Sequence, residues 1–156
     1  MPPAASIAFD DTLWPLLIIR ISGKPTMREL EAYLDERLEY MRRPERHVLL
    51  YDTSQLRLPA NDLNQRHVAW LKEHDALIQQ KVVAISVIIT SPLIRLTVSA
   101  MAHFWRSPVP YHLTATLPEA ARWAADRLHE AGFHVQANLI RQRFGAGAGP
   151  AWRKGP

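Results

Sequence analysis

Two hydrophobic periods alternate along the chain. Leu13 to Ile21 is a leucine and β-branched run that ends at Ser22-Gly23, the pattern of a strand with a turn behind it. Ser6 to Phe9 is a weaker strand, joined to it through Asp10-Asp11-Thr12, so the two are predicted to form a hairpin. Thr26 supplies a helix N-cap with Glu29 as its capping-box partner. Met27, Leu30, Leu34, Leu38 and Met41 then follow on one helical stripe. Val48 to Tyr51 is a further strand, ending at Asp52-Thr53-Ser54. A loop through Leu58-Pro59 leads to a helix from about Asn61, with Leu63, His67, Trp70, Leu71, His74, Leu77 and Ile78 on its apolar stripe. Val82 to Thr90 reads as a central strand. Ser91 caps a helix that carries Pro92 in its first turn and runs to about Trp105. Tyr111 to Ala115 is the last strand. A final helix opens at Thr116 or Pro118 and ends at Gly132, a C′ glycine.

Strands alternating with helices imply βαβ crossovers, and the class is α/β with a mostly parallel five-stranded sheet and an N-terminal antiparallel hairpin strand. The strand faces differ. Leu17, Ile19 and Ile21, with Val83, Ile85, Val87 and Ile89, make one face large and apolar. Arg20, Ser22, Ala84, Ser86, His112 and Thr114 make the other smaller and partly polar. Helices mainly on one face fit this asymmetry, which leaves the second face for solvent, a ligand or a subunit.

The strand-Gly-Lys-Pro-Thr-helix opening, the Val-Leu-Leu-Tyr-Asp strand and the Ala-Trp-Leu-Lys-Glu-His helix resemble the SpoIIAA-like group of STAS proteins. The Ile-Ile-Thr-Ser-Pro-Leu-Ile-Arg and Leu-Pro-Glu-Ala-Ala-Arg-Trp-Ala segments add to the resemblance, which spans roughly residues 5–131. It implies a β-α superhelix and a regulatory module that binds partner proteins. STAS domains of the anti-sigma-antagonist type are switched by a phosphoserine at a helix start. Asp52 stands where such domains place a strand-end aspartate, but the helix start reads Pro59-Ala60-Asn61-Asp62-Leu63 without serine, and Ser54 lies early.

Composition narrows the chemistry. The 156 residues include no cysteine, which excludes disulfides, thiolate metal sites and a cysteine nucleophile. Net charge is +4, yet residues 1–140 are neutral; Arg141, Arg143, Arg153 and Lys154 carry the excess. Without a basic stripe on the body, no nucleic-acid partner is expected. The N-terminus lacks a secretory pattern and Val82 to Ile89 is too short to span a bilayer, so a cytoplasmic protein without a membrane span is expected. Residues 5–140 read as one domain and 141–156 as a flexible, basic tail rich in Gly, Ala and Pro.

Motifs of catalysis are missing: there is no Gly-x-Ser-x-Gly elbow, no phosphate loop and no HExxH. His67 and His74 stand two turns apart, too far for one ion. No metal, cofactor or catalytic residue is therefore assigned, and a non-enzymatic role is expected. Two sites remain. Thr90 and Ser91 at a helix start, with Arg95 one turn in, are candidates for a small anion. The same helix is apolar nearly all round, so Met101, His103, Trp105 and Arg106 are candidates for an interface with a second copy or a protein partner. A self-associating, STAS-type interaction or regulatory module is the leading expectation. The alternative is a carrier or sensor of a small apolar or anionic ligand, bound at the sheet face near Arg20, Ser86 and His112 or at the Ser91 helix start.

Overall fold

A computed structural model describes residues 6–145. Its elements in chain order are β1 (Ser6–Leu13), β2 (Leu16–Gly23), α1 (Met27–Met41), β3 (His47–Leu56), α2 (Asn61–Glu73), α3 (Asp75–Lys81), β4 (Val82–Ile88), α4 (Pro92–Trp105), β5 (Tyr111–Thr114), α5 (Leu117–Glu130) and α6 (His134–Ile140). A π-helical turn, Arg141–Gly145, follows. The five strands form one sheet in the order β1-β2-β3-β4-β5. The first pair is antiparallel and the other three are parallel.

Local chemistry sets the boundaries. Thr26 and Glu29 form the capping box reciprocally: Thr26 Oγ1 accepts from the Glu29 amide at 3.2 Å and Glu29 Oε1 accepts from the Thr26 amide at 2.8 Å. Gly132 takes φ +96° just past α5, and the Phe133 amide donates back to the Leu128 carbonyl at 2.9 Å.

Four expected boundaries move. The hairpin turns at Trp14-Pro15, through a cis peptide bond, and not at Asp10-Asp11-Thr12. Those three residues stay in β1, across a register shift where Asp10 Oδ1 accepts from the Thr12 amide and hydroxyl. β3 continues to Leu56, paired with Gly23, so Ser54 is a strand residue. The helix expected from Asn61 to Ile78 is two helices. At His74 the backbone leaves helical geometry (φ −106°, ψ 15°) and the imidazole Nδ1 donates to the Trp70 carbonyl at 3.0 Å. Finally, the chain beyond Gly132 carries a sixth helix, and the body extends past residue 140. Arg141 pairs with Asp126 at 2.7 Å and Phe144 packs on the core. The rest of the expected tail, 146–156, lies outside the described residues.

The sequential strand order explains where the helices go. With every parallel crossover moving to the next strand in one direction, right-handed connections place all crossover helices on the same face. The connections α1, α2-α3 and α4 accordingly pack on Leu17, Ile19, Leu49, Ile85 and Val87. Only the segment after β5 is free to take the other face. There α5 lays Ala120, Ala121, Ala124 and Ala125, all fully buried, on Leu16, Ile18, Val48, Leu50, Ala84 and Ile88, and α6 adds Ala137 and Ile140. Small strand residues are what let a helix approach this closely: Ser86 Oγ donates to the Ala120 carbonyl at 3.0 Å. The smaller face is therefore closed by this chain's own helix. Ala124→Leu has no room to expand into and is expected to destabilise the protein by about 1–3 kcal/mol. Urea unfolding measures it, and an unchanged midpoint would contradict the seating of α5.

Candidate ligand-binding site

The residues singled out in the sequence fall in three places. Ser91 Oγ accepts from the Ile94 amide at 3.4 Å and serves as the α4 cap, while Thr90 and Arg95 stand exposed. At the sheet face, Arg20 faces Asp10 at 3.7 Å, Ser86 is sealed under α5, and His112 stacks on Trp123 at 5.3 Å. At that second location α5 covers Ser86, while Arg20 stays exposed. Of the four interface candidates, His103 and Arg106 are exposed, but Met101 and Trp105 turn inward. The outward apolar positions of α4 are Leu93, Leu96 and Phe104, each 60–67% exposed.

Met101 and Trp105 line a cavity of about 190 Å³ on the large-residue face of the sheet, between the strands and helices α1, α2 and α4. Ile21, Tyr51, Ile85 and Val87 form its floor. Leu30 and Tyr33 of α1, Leu63 and Leu71 of α2, and Ile94 and Val98 of α4 wall it. Trp105 is fixed by its indole N–H, which donates to Asp75 Oδ1 at 2.9 Å. On the outside, α2 and α4 diverge to leave a groove lined by Val68, Ala69, Leu96, Ala100 and Phe104. Asn64, Thr97 and Met101 border both spaces, so one layer of side chains separates the cavity from the groove.

The walls carry one charge. Arg37 projects from α1 at 3% exposure, with its guanidinium over the Trp70 ring at 5.0 Å. Its Nη2 is buried and donates to nothing among the described residues. All 15 Asp and Glu side chains lie within those residues, and none forms an ion pair with it. Beside it, Tyr33 and Tyr51 share a hydrogen bond between their hydroxyls, and burial, then Tyr51, holds the Tyr33 phenol well above its ordinary range. His67 meets the Tyr33 ring edge-on at 5.6 Å. Burial, then the Arg37 and Arg66 guanidinium groups, push its imidazole down to about 3, so it is neutral at physiological pH. Thr53 and Thr97 spend their hydroxyls on the Ile88 and Leu93 carbonyls.

A buried arginine without a carboxylate is the residue that the sequence reading missed, although a signal was there. The buried stripe of α1 is Leu30, Tyr33, Leu34, Arg37 and Met41. Reading the stripe through Leu38 passes over a charged residue at a core position. Spacing from Leu30 (i+7) and Leu34 (i+3) places Arg37 on the inward face.

Among the described residues, no three His, Cys, Asp or Glu side chains are grouped to hold a metal ion, and no helix is long and apolar enough to cross a membrane. The architecture is a SpoIIAA-like α/β fold, as the resemblance implied. Among solved structures, the chain is similar to an uncharacterised protein of the DUF3478 family with a SpoIIAA-like fold, from Shewanella loihica PV-4. The TM-score is 0.59 at 14% sequence identity, over 80% of this chain and 98% of that one. No family model matches the chain, and no curated protein does.

Proposed function

We propose that this protein is a non-catalytic binding module that holds a small, largely apolar molecule between its sheet and helices α1, α2 and α4. The observation that carries this reading is the cavity of about 190 Å³, with apolar walls and a single buried cationic group. Core packing normally leaves few voids larger than a water molecule, and an apolar cavity of about 150 Å³ accepts a benzene-sized guest. Apolar walls with few polar groups also match the usual construction of small-molecule sites.

Titration with 1-hexanol and toluene, followed through the fluorescence of Trp70 and Trp105, tests the reading. Saturable binding is expected, and Ala102→Phe, which adds a ring to the cavity wall, is expected to weaken it at least 10-fold. Absence of saturation with both probes would sink the proposal. A second reading, a STAS-type interaction module that self-associates through α4, is favoured by the outward Leu93, Leu96 and Phe104. Native mass spectrometry separates the two, since a dimer lost in Leu96→Asp supports association and a monomer opposes it.

A further inference from the structure

We propose that the cavity's ligand is a monocarboxylate of about eight non-hydrogen atoms, its apolar body of about five carbons lying between the sheet and α4 and its carboxylate held by Arg37. The inference rests on the cavity being a ligand site, and it adds the chemical class of the occupant. Burying a guanidinium away from water is unfavourable unless an anion or a set of acceptors replaces the lost hydration. In this chain no described carboxylate pairs with Arg37 and its Nη2 donates to nothing among the described residues, while the residue lines an otherwise apolar cavity. An incoming carboxylate supplies the missing negative charge and two acceptor oxygens, in the planar geometry that a guanidinium recognises.

The neighbouring groups complete the head site. Two hydroxyls that share one hydrogen bond use one proton between them, so the accepting phenol of the Tyr33-Tyr51 pair keeps a proton to donate. The carboxylate thus meets a guanidinium donor and a phenolic donor. His67, held neutral, adds no second cation, and Arg66, whose charge also bears on His67, is engaged by Glu31 at 2.6 and 3.1 Å. One cationic group with no other in the cavity wall balances a single negative charge. A phosphate monoester would bring nearly two, which argues for a carboxylate. The size follows from the volume. Scaled from a benzene-sized guest in about 150 Å³, a cavity of about 190 Å³ accepts roughly eight carbon-sized atoms.

Calorimetric titration of the full chain with pentanoate and hexanoate, each against its neutral amide, tests this directly. The acids are expected to bind roughly 10- to 100-fold more tightly than the amides. In Arg37→Met the ratio is expected to fall to about one or below, with amide binding retained. Equal affinity for acid and amide in the wild type overturns the carboxylate assignment while leaving the apolar site standing. Failure of acids, amides, hexanol and toluene alike overturns both. The wild-type comparison needs no variant, so a poorly folded Arg37→Met does not remove the test.

Discussion

Arg37→Met is expected to make the ligand-free protein more stable by about 1–4 kcal/mol, because a buried cation that no described carboxylate pairs is replaced by an apolar chain of similar length. Against this gain stands the loss of the guanidinium contact with Trp70, of the order of 0.5–2 kcal/mol. The net sign is set by desolvation: 3% exposure leaves little water around the guanidinium, and no described carboxylate replaces it. Urea unfolding at neutral pH, without added ligand, measures the difference. The same concentration of hexanoate should then stabilise the wild type more than Arg37→Met. A variant destabilised by several kcal/mol would contradict the desolvation argument and assign Arg37 a part in holding the fold. A stability increase bought by losing the site is the usual relation between a strained binding group and its scaffold.

Acid should unfold this protein early. His47 is 1% exposed, stacks on Trp14 at 5.0 Å, and has an Nδ1 without a partner among the described residues. Burial, then Arg37, Lys81 and Arg43, push it down to about 3, and His67 is lowered to about 3 as well. Unfolded, each imidazole takes up a proton near 6.5. Between about pH 6.5 and 3 the unfolded chain therefore binds more protons than the folded one. Stability is full above that window and falls as the pH drops through it, by up to about 1.4 kcal/mol per pH unit for each group. From pH 7 to 5, His47 accounts for about 2 kcal/mol, and the partly exposed His67 for less. The lowered carboxyls of Asp10 and Glu31 act in the same direction, but only below the ordinary carboxylate range. Urea midpoints at pH 7, 6 and 5 for the wild type and the His47→Phe, His67→Phe double variant check the assignment. An equal loss in both proteins would remove the histidines as its cause.

Much of the fold was legible because it rests on short-range signals. Thr26 with Glu29, Ser91 with Pro92, and Gly132 are local devices, and each stands where its chemistry placed it. The α6 segment lacked such marks: its N-cap is Phe133, without a side-chain hydrogen bond, and only Ala137 and Ile140 are buried. The two sheet faces were correctly distinguished, but the covering of the smaller one was not foreseen. Small residues such as Ala84 and Ser86 suggested an open face, whereas they are the condition for seating an alanine helix. Large residues stand on the other face. There the void arises from the spacing of α1, α2 and α4, a tertiary property that strand periodicity does not encode. Trp105 and Met101 were read as outward positions of α4 but turn inward, since a helix apolar all round does not declare which stripe faces the core.

The placement of α5 and α6 after the last strand also orders events during synthesis. All five strands and every crossover helix leave the ribosome before residue 117, so one side of the sheet can be covered as each helix arrives. Leu16, Ile18, Val48, Leu50 and Ile88 wait on the opposite side without a cover until residues 117–140 have emerged. A nascent chain stopped short of that point presents a bare apolar sheet to its surroundings, the kind of surface that chaperones bind.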